Sequence, residues 1–342
     1  MPPPASRVAG GRPSMSHSND PTAQRLDAVH ALHGETMGTS WSVKVVASAG
    51  VDLHRLHAVI QAQLDRVVAQ MSTWEPGSDI SRFNQADAGS QVAVPAEFLQ
   101  VLDCALQTAR ESGGCFDPTL GTLVDAWGFG PAQGAGRAPD QAMLDGLRGS
   151  LGWQRIEVLR DPARLVQPGG LRLDFSAIAK GYAVDLVAAQ LRRIGVDAAL
   201  TEVGGELHGY GRKPDGQPWQ VLVETWPEAD ADPEDACVLS LHDLAVATSG
   251  DRWHVFEQDG VRYSHTLDPR TGKPVSHAPG AVTVIAGDAM HADAWATALT
   301  VMGADEALRF AQRHGIAARI VCRGSAGPAV TMTDAFKAHL QA

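Results

Sequence analysis

Apolar and polar positions alternate over residues 39–48, TSWSVKVVAS, with Trp41, Val43 and Val45 on one face and Ser42 and Lys44 on the other. A period of two predicts a strand with one buried face. The period lengthens over residues 53–71, where Leu56, Val59, Ile60, Leu64, Val67, Val68 and Met71 form one helical stripe. Residues 78–84, SDISRFN, read as a short capped helix. Pro95 opens a second amphipathic helix carrying Phe98, Val101, Leu102, Ala105, Leu106 and Ala109, and Gly113-Gly114 stop it. Residues 131–150 are rich in Gly, Ala and Pro and read as an exposed excursion with a short helix.

Residues 171–175, LRLDF, read as a strand that leads into a helix. That helix turns Ala183, Leu186, Val187, Leu191 and Ile194 inward and stops at Gly195. Strands are expected at 198–203 and near 218–224, 237–247 and 281–286, with Thr248-Ser249-Gly250-Asp251 ending one of them. A helix begins at His291. Asp305 caps a last helix holding Ala307, Leu308 and Ala311 and stopped at Gly315, and strands at 318–323 and 328–333 close the fold. Strands and helices follow in mixed order, which favours an α+β fold over alternating βαβ units. No internal repeat is present.

The 342 residues allow one large domain or two of ordinary size. The chain is 44% hydrophobic and 20% charged, the balance of a soluble globular protein. Its net charge of -11, without a Lys/Arg cluster, argues against a nonspecific nucleic-acid binder. An acidic enzyme that handles phosphates must supply local positive charge, from a metal ion or helix N-termini. None of the four cysteines forms a C-x-x-C pair, so a zinc knuckle is not expected. No apolar run reaches the length of a membrane span. Residues 1–28 carry Pro, Gly, Ser and Arg without the apolar core of a secretion signal, and read as a disordered leader before a domain over 29–342. As written the chain is expected to be cytoplasmic; a start site placed too far downstream would hide an export signal.

Several positions carry candidate chemistry. Arg262 to Gly272 places an imidazole, His265, three residues before Asp268-Pro269. Asp-Pro stiffens the turn and Gly272 allows a positive φ. The picture is a strand ending in a stiff loop with His265 at its mouth. His265 is either a base oriented by a nearby carboxylate or a surface side chain on an Asx-type turn. The junction after 171–175 is a natural anion site, with Asp174 beside it and Lys180 either solvated or reaching a phosphate. Gly204-Gly205 follow a strand directly, where a ligand can approach the backbone. Asp293 and Thr297 lie four apart on one helix face, among alanines. They are either a dipole-complementing Asp and a back-bonding Thr, or two hard oxygen ligands for Mg²⁺. Met37 reads as core, and Trp74 as loop packing or a plate for a planar ligand.

Taken in order, Met37-Gly38-Thr39, MSTWEPGSDISRFN, GCFDPTLGTLVDAWGFG, LDFSAIAKGYAVD, EVGGELHGYG, TSGDRWHVF, SHTLDPRTGKPV and HADAWATALTVMG resemble the ApbE-like FAD:protein FMN transferases, over about residues 34–303. The resemblance implies an α+β fold with mixed and antiparallel sheets flanked by helices, and an FAD cleft between two lobes. It implies cleavage of the FAD pyrophosphate, attachment of FMN to a Thr hydroxyl of a target flavoprotein, and release of AMP. Met37, Trp74, Cys115, Phe116, Asp117, Asp174, Lys180 and Leu267 match FAD-contacting positions. Ala177, through its carbonyl, matches the Mg²⁺ site together with Asp293 and Thr297. His265 matches the general base, with Asp268 beside it. Trp74 stands where the family commonly has Tyr, and Ala296 where some relatives have a carboxylate. The expected partner is a subunit of a membrane-associated respiratory flavoprotein.

Two other functions use the same residues. An FAD pyrophosphatase would put water in place of the Thr hydroxyl and give FMN and AMP. A flavin-binding carrier would turn nothing over. The single carboxylate in HADAWAT favours one metal ion and the transferase, and His265 with the metal pair argues against the carrier.

Overall fold

The computed structural model describes residues 27–131, 138–223, 236–250, 255–258, 260–276, 279–324 and 327–340. Its frame is one eight-stranded sheet: β1 (Asp27–Thr36), β2 (Thr39–Ser48), β3 (Ala199–Val203), β4 (Glu206–Tyr210), β5 (Leu244–Gly250), β6 (Ala281–Ala286), β7 (Ala317–Gly324) and β8 (Gly327–Met332). Spatial order equals chain order, and every neighbouring pair is antiparallel. The sheet is therefore a meander with material inserted between its strands.

The insertions carry the helices. Between β2 and β3 lie α1 (Leu53–Met71), α2 (Asp79–Asn84), α3 (Ala96–Glu111), α4 (Gly121–Ala126), α5 (Gln141–Leu147) and α6 (Ala179–Arg193). The same insertion contains a small sheet of Gln91–Ala93, Ala163–Val166 and Glu157–Arg160. Between β6 and β7 lie α7 (Ala289–Met302) and α8 (Ala304–His314); α9 (Asp334–Lys337) follows β8. Three further hairpins interrupt the meander: Trp219–Val223 with Cys237–Leu241, Val255–Gln258 with Val261–Ser264, and Leu267–Asp268 with Lys273–Pro274.

Both faces of the sheet are covered, because successive side chains of a strand point to opposite sides. On β3, Ala199 and Val203 join the core under α1, α3 and α6, while Leu200 joins Trp219, Leu239, Leu241 and Phe336 on the opposite side. On β5, Ala245 and Val246 divide in the same way. Helix α7 is buried almost all round, at Ala289, Met290, Ala292, Ala294, Ala296, Ala298 and Leu299, as expected of a central helix rather than a surface one. Its alanines let neighbours come close. A Cβ on Gly181 of α6 would stand 2.2 Å from the Ala289 carbonyl and 2.9 Å from Asp293 Cβ. Gly181→Ala is expected to force these helices apart and cost about 1–3 kcal/mol, read as a lower midpoint in denaturant unfolding.

Most expected elements are present, with corrections. Leu171–Phe175 forms no ladder beyond one bridge, Leu120 to Arg172. Its backbone is satisfied elsewhere: the Asn84 side chain brackets Leu173 at 2.7 and 2.8 Å, and Asp174 N–H donates to the Pro118 carbonyl at 2.9 Å. The strand expected over 237–247 is two strands, turned at Asp243 with φ 54°. Helix α7 starts earlier than His291 and is capped by Asp288, and Gly303, not Asp305, precedes α8. Strand β1 takes in Asp27 and Ala28, the last residues assigned to the leader; residues 1–26, 132–137 and Asp251 lie outside the described residues. No helix among the described residues is long and apolar enough to cross a membrane.

Candidate active site

One cavity of about 640 Å³ opens at the ends of β2, β3 and β5, with walls from both halves of the chain. The tight β1–β2 hairpin forms one edge. Its turn residues, Met37 and Gly38, have φ of 49° and 72°. Positive φ at both central residues suits the twist of a two-residue hairpin. For methionine it is an uncommon conformation, and it presents Met37 to the cavity. The β3–β4 turn forms the adjoining edge, with Gly204 and Gly205 at φ 59° and 102°. A Cβ on Gly204 would stand 2.9 Å from Thr39 Cγ2, so the two turns interlock, whereas a Cβ on Gly205 meets open space.

The adjoining wall holds charge. Asp293 on α7 is buried, and its Oδ2 accepts from Gly181 N–H at 3.0 Å. Burial pushes its carboxyl above the ordinary range, while the Lys180 charge and the Gly181 hydrogen bond oppose the shift. Thr297 lines the cavity one helical turn further on. Lys180, next to Gly181, forms an ion pair with the buried Glu206 at the start of β4. Burial pulls the Lys180 ammonium down, but Asp293 and Glu206 outweigh it and hold the group above its ordinary value. Burial drives the Glu206 carboxyl up, with Lys180 opposing. The position of α7 is fixed by Asp185 of α6, whose oxygens accept from Ala289 and Met290 N–H at 2.9 Å each and which also bonds His208 at 2.8 Å.

Much of the junction before α6, expected as an anion site, is engaged within the chain. Ser176 N–H donates to Asp174 Oδ1, Ile178 and Ala179 N–H to the Phe175 carbonyl, and Gly181 N–H to Asp293. Gly204 and Gly205 N–H are likewise engaged, by the Ser40 carbonyl and Glu202 Oε1. These six backbone donors are spent on holding the walls together. Positive charge in the cavity rests on Lys180 and on whatever cation the carboxylates hold.

Asp117 organises the wall around Cys115 and Phe116. It accepts from Thr119 N–H and Oγ1 at 2.8 and 2.7 Å and from Trp153 N–H at 3.3 Å. Burial still leaves its carboxyl above the usual range. His265 follows the strand Val261–Ser264 and enters the cavity beside Thr266 and Leu267. Phe129 meets its ring edge-on at 6.4 Å between centroids.

A profile of the ApbE family matches residues 37–320. The chain belongs to the ApbE family. It is 32% identical to the FAD:protein FMN transferase of Haemophilus influenzae over 92% of both chains. It is 35% identical to the FAD:protein FMN transferase of Vibrio cholerae, over 92% of this chain and 93% of that one. The apo crystal structure of the Pseudomonas stutzeri flavinyl transferase ApbE superposes with a TM-score of 0.84 at 40% identity, covering 92% of this chain and 98% of that one.

The structure brings most of the expected ApbE-family positions together. Met37, Cys115, Phe116, Asp117, Asp174, Ala177, Lys180, His265, Leu267, Asp293 and Thr297 all line the one cavity. Two expected residues stand apart. Trp74 is 58% exposed on the loop after α1 and is not on the cavity wall. Asp268 is buried and committed to Arg270, which grips both carboxylate oxygens at 2.9 and 3.0 Å. Its carbonyl accepts from Gly272 N–H at 2.8 Å, and Trp127 Nε1 donates to the Gly272 carbonyl at 2.9 Å. Asp268 therefore stiffens the loop that carries His265 instead of meeting a ligand in the cavity. Glu206, Gly181 and Asp185 were not singled out from the sequence, although all three lie inside motifs quoted for the resemblance. A carboxylate directly after a Gly-Gly turn was the local signal available for Glu206.

Proposed function

We propose that this chain transfers FMN from FAD to a hydroxyl of an acceptor protein, with AMP as the leaving group. The observation that carries this reading is the meeting in one cavity of an imidazole, a buried carboxylate–hydroxyl pair and a lysine, in a chain of the ApbE family. Phosphoryl transfer asks the protein mainly for positioning and for charge neutralisation at the phosphates. Lys180 has three donors and spends part of them on Glu206, which leaves others for a phosphate oxygen. His265 takes the proton of the incoming hydroxyl, a poor nucleophile until that proton has an acceptor. The apolar wall of Met37, Phe116, Leu120 and Leu267 suits a flavin ring. The assignment of Trp74 to the flavin rests on the family resemblance alone.

The donors fit Mg²⁺. Among the described residues no group of three or more His, Cys, Asp or Glu forms a closed metal cage. What the cavity offers is a buried carboxylate with a raised pKa, a hydroxyl one turn away and the Ala177 carbonyl position. A hard cation that keeps waters and shares phosphate oxygens needs only such a partial set. Bound there, Mg²⁺ supplies Lewis-acid neutralisation of the diphosphate. The acceptor in this reading is a Thr hydroxyl on a membrane-associated respiratory flavoprotein subunit, supported by the family resemblance.

The test combines the purified protein, FAD, Mg²⁺ and a candidate flavoprotein subunit. Mass spectrometry of the subunit is expected to show FMN on a Thr, with AMP appearing in equal amount by chromatography. Free FMN with no labelled subunit would instead mark a pyrophosphatase, and unchanged FAD across genuine acceptors a carrier.

A further inference from the structure

Glu206 has no task in the reaction as described above. Its side chain is only 3% exposed, yet it forms part of the cavity wall. One oxygen pairs with Lys180, and the other, Oε2, has no hydrogen-bond partner. A buried carboxylate with an unsatisfied oxygen is unfavourable for folding, and burying its ion pair rarely recovers the full desolvation cost. Stability therefore gives no reason for a carboxylate at this place.

The neighbouring charges give one. Lys180 lies in the field of two carboxylates, Glu206 and Asp293. Among the described residues its salt bridge is to Glu206. The lysine stem runs under the Gly-Gly turn, where a Cβ on Gly204 would stand 3.3 Å from Lys180 Cδ. An ammonium released from Glu206 has Asp293 as its other carboxylate, and that is the carboxylate offered to the cation. A lysine ammonium and a divalent ion cannot both take the same oxygen.

We infer that Glu206 is a positioning residue that holds the Lys180 ammonium away from Asp293 and so keeps Asp293 open to a divalent cation. The inference rests on the metal site proposed above, but not on transfer of FMN. Glu206 acts through the lysine, so its loss is repaired by removing the lysine as well.

The experiment is a Mn²⁺ titration of the full chain without nucleotide, followed by electron paramagnetic resonance of the free ion. Glu206→Gln keeps the side-chain shape and is expected to weaken Mn²⁺ binding by about 10–100-fold, the usual cost of losing a group that orients a ligand. Lys180→Met is expected to bind Mn²⁺ at least as tightly as the wild type. The double variant, Glu206→Gln with Lys180→Met, is expected to recover wild-type affinity. A merely structural role predicts the reverse, a double variant no better than Glu206→Gln. Thermal unfolding of all three variants controls for folding, and the double variant is expected to melt no lower than the wild type. Wild-type Mn²⁺ affinity in Glu206→Gln, or no recovery in the double variant, would overturn the inference. A wild type that binds no Mn²⁺ would overturn it together with the metal site. A wild type that shows this Mn²⁺ pattern yet labels no acceptor would sink the transfer reading alone.

Discussion

Asp293→Asn is expected to lower metal-dependent FMN transfer by at least about 10³-fold, the equivalent of several kcal/mol of charge stabilisation. Asparagine keeps an oxygen for Gly181 N–H, the one hydrogen bond that ties Asp293 to α6, and removes only the charge. The fold is expected to survive, because a carboxyl whose pKa burial has raised is itself unfavourable as an anion. Mn²⁺ affinity should fall with the rate, whereas the unfolding midpoint should hold or rise. Asp293→Ala adds an unpaired Gly181 N–H and should cost stability as well, by about 1–3 kcal/mol. Transfer at the wild-type rate in either variant at ordinary Mg²⁺ would show that Asp293 is not the metal ligand.

The second large effect is expected at His265. His265→Ala should reduce transfer by about 10²–10⁴-fold, the usual worth of a positioned general base. FAD affinity should change little, because the cavity wall is otherwise intact and the loop is fastened at its far end. Asp268, Arg270 and Trp127 provide that fastening, and none of them depends on the imidazole. Metal affinity should also be kept in His265→Ala, because the imidazole is not among the metal donors. A loss of FAD affinity as large as the loss of rate would make His265 a wall residue of the pocket and not a base. The two variants thus separate by readout: Asp293→Asn loses metal affinity with the rate, and His265→Ala loses rate alone.

How far the sequence carried the fold varies by element. Helices α1, α3 and α6 were legible because each has a buried stripe and ends at a recognisable stop, although Ile194, expected to face inward from α6, is its exposed C-terminal cap. Strand β2 was legible because Trp41, Val43 and Val45 alternate with polar residues. Its partner β1 was not: DAVHALHGET is largely exposed along its length, so no apolar alternation marks it. Leu171–Phe175 misled in the other direction. It has the composition of a strand, but Asn84 and Pro118, far away in sequence, satisfy its backbone. The 237–247 strand was read as continuous because its turn uses Asp243, not glycine, in the left-handed region.

The site divides along the same line. Residue types and their local spacing were enough to nominate Asp293 with Thr297 on one helix face, His265 before a stiff turn, and the glycine pair after a strand, because hard-ligand, base and close-approach chemistry are each carried by side chains close in the chain. Which of these meet was decided only in three dimensions. The meander sheet sets the ends of β2, β3 and β5 side by side, and the close packing of α6 on α7 through Gly181 brings Lys180 and Asp293 to the same wall. Tertiary structure also decided that the N–H groups of Ser176, Ile178, Ala179, Gly181, Gly204 and Gly205 serve the walls, that Asp268 serves the loop, and that Glu206 is buried against Lys180. Hydrogen-bond partners and burial depend on neighbours distant in sequence, and no local pattern encodes them.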